Sequence, residues 1–194
     1  MPHALAHVKR TLYISSMDKR DQIIAGAMRM FEAQGFRGIG VDAVLAPSGA
    51  STRTLYKHFG SRDGLVLAVL EQRHQAFMDR LAAAPDGGIA GLFDALSVWL
   101  IEFGASGCML LRAHGEYAGS NPEIADCVRR QKEEFLAEFA VRVEQELGRK
   151  DDTLTLQVWL LFEGATAAAS VMGPHVVGAA KDASQALLAR ACAE

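Results

Sequence analysis

The sequence predicts an all-α protein. Apolar residues recur at the spacing of an amphipathic helix along nearly the whole chain, and no segment shows the sustained alternation of a β-strand bounded by hairpin turns. Glycine, asparagine and proline interrupt the pattern at intervals that match helix lengths. The 194 residues, 50% of them hydrophobic, are enough to bury a core and to form one domain or two small ones.

The first predicted helix covers residues 18–34. Ile24, Ala27, Met28 and Phe31 lie at positions i, i+3, i+4 and i+7 of this segment, which is the spacing of one helix face. We expect that face to be buried in ordinary core.

The second predicted helix is short, residues 41–46, and Pro47 follows it. Proline inside a helix removes a backbone donor and clashes with the preceding turn, at a cost of about 3 kcal/mol or more. We therefore expect this helix to end early or to tighten there. Gly49 permits a sharp turn, and Ser51 is placed to cap a third helix that ends at Phe59.

The fourth predicted helix begins after Ser61 and continues to about Ala83, where the sequence AAAPDGG is the clearest break in the chain. Five more helices are expected after this break, about nine in all. Their predicted ranges are 89–103, 109–118, 122–147, 153–172 and 175–193.

Charge is distributed unevenly. Residues 1–60 hold eight Lys and Arg against four Asp and Glu, a net charge of +4, whereas residues 61–194 carry a net charge of −7. The basic end is the candidate for binding a polyanion.

Enzymatic and metal-binding functions find little support. Cys108, Cys127 and Cys192 are an odd set without C-x-x-C spacing, and the six histidines are scattered. GIGVDA, residues 38–43, fits a dinucleotide-binding pattern formally, but a predicted helix precedes it where that pattern needs a strand. We expect no catalytic residues, no cofactor and no metal. An enzyme or carrier built from the C-terminal helices, or a redox sensor using Cys108 or Cys127, stays as the alternative.

Neither export nor membrane insertion is expected. The N-terminal stretch TLYISSM is too short and too polar for the core of a signal peptide. The longest uncharged run, residues 164–180, is interrupted by Gly173, Pro174 and His175 and falls short of a membrane span. The sequence therefore predicts a cytoplasmic protein.

The stretch GASTRTLYKHFGSRDGLV, residues 49–66, predicts a helix-turn-helix. Two short helices are joined by a turn at Gly49, and the second helix carries Thr, Arg, Lys and His on its outer side. In this motif the second helix enters the major groove of DNA.

Residues 20–67 resemble the DNA-binding region of TetR/AcrR bacterial transcription regulators. Four features coincide in order: F-x-x-x-G-F, G-A-S, T-L-Y-x-H-F and S-R-D-x-L. The resemblance implies an N-terminal DNA-binding domain of three helices, residues 18–66, preceded by an extension, residues 1–17. It also implies a C-terminal ligand-binding and dimerisation domain, residues 67–194. The implied protein is a homodimer, most often a repressor, that a small hydrophobic effector releases from a palindromic double-stranded DNA operator.

The DNA contacts are expected on the third helix and at the start of the fourth. Thr52 and Arg53 occupy the first turn, which reaches base edges, and Tyr56 and Lys57 follow one turn later. The resemblance adds phosphate contacts. These are expected from Thr54, His58 and Arg62.

The ligand site is expected among the apolar residues of the later helices, where a few polar side chains converge. The candidates are His74, Phe77, Met78, Trp99, Phe103, His114, Tyr117, Phe162 and Glu163. The last two helices are predicted to form the dimer interface, because GATAAASVMG, residues 164–173, is rich in small residues that let helices approach closely.

Overall fold

The computed structural model describes residues 18–83 and 87–193. Within these ranges the chain forms nine α-helices and no strand, which confirms the predicted fold class. The helices are α1 Lys19–Gln34, α2 Val41–Leu45, α3 Thr52–Phe59, α4 Arg62–Ala82, α5 Ile89–Phe103, α6 Met109–Tyr117, α7 Pro122–Leu147, α8 Asp152–Met172 and α9 Val176–Cys192. The predicted extension, residues 1–17, lies outside the described residues.

Side-chain caps explain where five of the helices begin. The capping residues each accept a hydrogen bond from the backbone N–H three residues further on, and they are Asp18, Ser51, Ser61, Asn121 and Asp151. Such a cap satisfies one of the donors that the first turn of a helix leaves without an intrahelical partner.

The chain divides into two compact units, one extending to Gln72 and the other beginning at Arg73. The division falls within α4, as does the domain boundary predicted after residue 66. The domain assignment itself stays a prediction.

The first unit has its core between α1, α2 and α3. Ile24, Phe31, Val44 and Leu55 are fully buried there, and the rings of Phe31 and Phe36 pack with their centroids 4.9 Å apart. Of the predicted face of α1, Ile24, Ala27 and Phe31 are thus buried, and Met28 is half-buried.

Pro47 tightens the backbone as predicted. The α-helix ends at Leu45, and Ala46–Ser48 continues as one turn of 3₁₀-helix. Gly26 of α1 lies so close to this turn that a Cβ added there would be 3.3 Å from Cβ of Pro47. Lys19 donates a hydrogen bond of 2.7 Å to the backbone oxygen of Ser48. Helix α1 therefore contacts the 3₁₀ turn at two positions, Gly26 and Lys19.

In the second unit, α9 packs against α8 and α5, and α7 packs against α6 and α8. Arg142 of α7 is buried and donates to the backbone oxygens of Leu81, at 2.7 Å, and Gly88, at 3.4 Å. Glu146, one turn later, accepts from the backbone N–H of Ile89 at 2.8 Å. These contacts join α7 to the end of α4 and to the start of α5.

Candidate nucleic-acid interface and ligand site

The turn between α2 and α3 is set by glycine geometry and by a cap. Gly49 has φ of +61°, a left-handed conformation that glycine adopts at little cost. Ser51 then accepts a hydrogen bond of 3.2 Å from the backbone N–H of Thr54, and the hydroxyls of the two residues lie 2.9 Å apart. The first turn of α3 is therefore fixed by its own side chains.

The two sides of α3 differ sharply. Leu55 is buried in the core of the first unit, whereas Arg53, Tyr56, Lys57 and His58 are exposed, Tyr56 to 56%. An exposed aromatic side chain between basic groups is suited to contact with both bases and phosphates.

The two predicted threonines have different surroundings. Thr54 is half-buried, while Thr52 is exposed and donates to a carboxylate oxygen of Asp42 at 3.4 Å. Thr52 thus links the start of α3 to α2.

Arg62 is engaged within the first unit. Its guanidinium donates to the backbone oxygen of Phe36 and, at 3.1 Å, to that of Ile39. It also stacks over the ring of Phe31, 5.7 Å from the centroid. The structure therefore gives this side chain an internal role, and the predicted phosphate contact stays untested.

Rings from four helices meet in the second unit. Phe77 of α4 lies 5.0 Å from Trp99 of α5, 5.6 Å from Phe135 of α7 and 6.0 Å from Phe162 of α8, measured between centroids. Phe103 extends the group, at 4.3 Å from Trp99. We call these five residues the aromatic cluster.

His74 borders the aromatic cluster and is paired with a carboxylate. Its ring lies edge-on to that of Phe135, with centroids 4.9 Å apart, and its Nε2 is 2.6 Å from Oε2 of Glu134. Burial by itself would raise the pKa of Glu134, but hydrogen bonds and charge from His74 and Arg130 outweigh it, and the pKa lies below its ordinary value. Glu134 is therefore ionised at neutral pH.

A second polar pair also lies beside Phe135. Lys132 of α7 contacts both carboxylate oxygens of Glu163 at 2.6 Å, and its Nζ is 5.8 Å from the centroid of the Phe135 ring. Both side chains are largely buried, with 14% and 15% of their surface exposed.

The structure thus brings together five of the nine predicted ligand residues, namely His74, Phe77, Trp99, Phe103 and Phe162, and links Glu163 to them through Lys132. The other three differ in burial: Tyr117 is buried, Met78 is half-buried and His114 is exposed on α6.

Residues 23–69 match the family described as "Bacterial regulatory proteins, tetR family". This segment contains the turn at Gly49, the capped helix α3 and its exposed basic side. Residues 23–69 thus form a TetR-family DNA-binding region.

Solved relatives extend the likeness beyond this segment. A TetR-family regulator from Streptomyces coelicolor matches over 90% of this chain and 96% of its own, with a TM-score of 0.78 and 24% identity. Another from Streptomyces avermitilis matches over 90% and 98%, with a TM-score of 0.75 and 27% identity. The transcriptional regulator LmrA of Bacillus subtilis is 30% identical over 66 residues, a match that spans 34% of this chain and 35% of LmrA.

These relatives are transcriptional regulators, in agreement with the expectation that the chain is not an enzyme. Among the described residues, no group of three or more His, Cys, Asp or Glu side chains is arranged to hold a metal ion. One helix within the described ranges, α8, has the length and composition to span a membrane, and it packs here against α7 and α9.

Several polar residues around the aromatic cluster escaped the sequence analysis. Lys132 shares a helix face with Val128, Phe135 and Phe139, so a charge within that apolar register was a usable signal. Arg73 and Arg80, whose guanidinium carbons lie 5.1 and 5.7 Å from the centroid of Trp99, had no such signal, because arginines are common on exposed helix faces.

Proposed function

We propose that this protein is a cytoplasmic transcriptional repressor that binds a palindromic DNA operator as a homodimer and leaves it when a small hydrophobic effector binds. The exposed side of α3, with Arg53, Tyr56, Lys57 and His58 outward and Leu55 in the core, carries the proposal. A rigid, capped helix with this face is suited to the major groove.

The roles on α3 are assigned by position. Thr52 and Arg53, in the first turn, reach base edges, and Tyr56 and Lys57 extend the same exposed side. Thr54 and His58 contact phosphates on either side of the groove. Base contacts set the preferred sequence, whereas phosphate contacts set position and overall affinity.

The homodimer is assigned to the last two helices. Leu156, Leu160, Gly164, Ala167 and Val171 recur every three or four residues along α8, and all are exposed, Val171 to 88%. An exposed apolar stripe of this length favours association with a second copy of the chain, because the contact would remove the apolar surface from water.

The neighbouring helix α9 offers a matching stripe of small residues. Ala179, Ala183 and Ala186 recur at helical spacing and are exposed, and the exposed Arg190 follows them one turn later. Two helices from each copy would form a four-helix interface with two-fold symmetry.

The effector site is assigned to the aromatic cluster with His74. Helix α4 supplies Arg62 to the first unit and His74 and Phe77 to the second, so one continuous helix contributes to both. An effector that prefers a conformer with poorly spaced recognition helices weakens DNA binding by the same factor by which DNA weakens effector binding.

The test is to select duplexes from a random pool and to measure binding of the full chain by mobility shift. Selection of an inverted repeat, bound by two chains per duplex, supports the proposal. Absence of any preferred sequence, or binding by one chain, contradicts it. For the effector, Trp99→Ala should alter the response to any compound that releases wild-type protein from the repeat, and an unchanged response would remove the aromatic cluster from the proposal.

A further inference from the structure

One ring nitrogen of His74 has no hydrogen-bond partner in the described part of the chain. The residue is 5% exposed, and Nε2 is engaged with Glu134 at 2.6 Å. Nδ1 is buried and has no hydrogen-bond partner within residues 18–83 and 87–193. A buried polar atom without a partner destabilises the folded state, so such an atom beside a binding region is a candidate recognition group.

The contact between His74 and Glu134 determines which kind of hydrogen-bond partner Nδ1 requires. Glu134 is ionised, since its pKa lies below the ordinary value, and an ionised carboxylate only accepts hydrogen bonds. A carboxylate oxygen 2.6 Å away fixes the imidazole proton on Nε2. Nδ1 lies beside no acceptor among the described residues that could receive a second N–H, so it carries a lone pair. The missing partner is a hydrogen-bond donor.

The surroundings limit the kind of donor. The ring of His74 meets Phe135 edge-on at 87°, and Phe135 is joined through Phe77 to Trp99. A flat aromatic body fits such neighbours by edge-to-face and stacked contacts. A hydroxyl donates one hydrogen bond without bringing charge into this environment, whereas an ammonium group would lose its hydration.

We propose that the effector is an aromatic compound bearing a hydroxyl group, and that this hydroxyl donates a hydrogen bond to Nδ1 of His74. The inference rests on the proposed function, because it names the ligand class of the site at the aromatic cluster. His74 then determines specificity, and the rings supply most of the contact area.

The experiment compares two probes that differ in one donor, 1-naphthol and its methyl ether 1-methoxynaphthalene. Calorimetric titration of the full chain without DNA should give a dissociation constant about tenfold lower for 1-naphthol. His74→Phe should bind the two compounds equally. Phe103→Leu is the matched control: it removes a ring but no hydrogen bond, so it should weaken both compounds alike and preserve the preference.

Equal binding of the two probes by wild-type protein, binding of neither, or a preference that survives His74→Phe would each overturn the inference. If His74→Phe does not fold, the ¹⁵N resonance of His74 Nδ1 in wild-type protein decides: it should shift with 1-naphthol and not with the ether, and an unshifted resonance overturns the inference. Mobility shifts with the selected inverted repeat test the proposed function separately. If the chain binds the inverted repeat but does not prefer 1-naphthol over its ether, only the inference about the hydroxyl group is contradicted. If the chain prefers 1-naphthol but 1-naphthol does not release it from DNA, only the proposed mechanism of release is contradicted.

Discussion

Arg62 and Ile39 are joined by a hydrogen bond of 3.1 Å from the guanidinium to the backbone oxygen, across 23 positions of the chain. The same guanidinium donates to the backbone oxygen of Phe36 and covers the ring of Phe31. The start of α4 is thereby tied to the segment between α1 and α2.

Arg62→Ala should lower the free energy of unfolding by about 2 kcal/mol, because it leaves two buried carbonyl acceptors without a charged donor. Urea denaturation followed by circular dichroism measures this. Arg62→Lys keeps the charge but not the forked geometry, so it should also be destabilised. An unchanged unfolding free energy, with a salt dependence of DNA binding lowered by about one unit per subunit, would instead make Arg62 a phosphate contact.

Arg53→Ala should weaken binding to the selected operator by about 1 to 3 kcal/mol and flatten the preference at one base pair in each half-site, since arginine can bond two acceptors of guanine. Filter binding against all single-base variants at two salt concentrations measures both effects. His58→Ala is the comparison, because loss of a phosphate contact should weaken every variant equally. Uniform weakening by Arg53→Ala would show that Arg53 also contacts phosphate.

Leu160→Glu should shift the protein from dimer to monomer at micromolar concentration, because it places a charge in the centre of the apolar stripe on α8. Leu160 is 55% exposed in the single chain, so the substitution disturbs little within it. Val141→Glu, at a comparably exposed position on α7 (48%), is the control and should leave the dimer intact. Light scattering measures both, and a dimer that survives Leu160→Glu places the interface elsewhere.

Asp151→Ala should destabilise the second unit at neutral pH and have little effect in acid. The backbone N–H of Leu154 lowers the pKa of Asp151, burial opposes it, and Arg149 adds to the lowering. A carboxyl group with a lowered pKa stabilises the fold above its ordinary value of 3.8, and the contribution is lost as the pH falls through the lowered pKa. Thermal unfolding at neutral pH and below pH 3.8 should show the difference shrinking. Asp151→Asn, which keeps the cap without the charge, should lose less at neutral pH.

Lys132→Met should cost about 3 kcal/mol of unfolding free energy, because it leaves Glu163 largely buried without its cation. The double variant with Glu163→Leu should recover most of this loss, since neither charge is then desolvated. Denaturant titration of the two single variants and the double variant gives the coupling. Additive losses would mean that the pair contributes no coupling to stability.

The parts of the fold that depend on short stretches of sequence were predictable. Gly49, Ser51 and Pro47 act within a few residues, so the turn, the cap and the tightened end of α2 follow from local chemistry. Contacts between segments that are far apart in the sequence were not predictable. The pairing of Lys132 with Glu163 spans 31 positions and depends on how α7 packs against α8, which spacing along one helix does not determine.

The candidate ligand residues were likewise predictable only where the local sequence pattern shows which side of a helix faces inward. Phe77 and Phe162 were recognisable from their apolar registers, and the structure places their rings together. His114 lies on the exposed side of α6 instead, because a short helix with mixed neighbours does not reveal which side faces inward.

Tryptophan occurs twice in the chain, at Trp99 in the aromatic cluster and at Trp159 on α8, and both lie in the second unit. Tryptophan emission therefore reports on that unit alone, whereas the helical signal in the far ultraviolet sums both. Unfolding curves from these two signals should coincide if the chain melts in one cooperative step and separate if the units melt independently. Tryptophan fluorescence is thus an intrinsic probe of the unit in which we place the effector site.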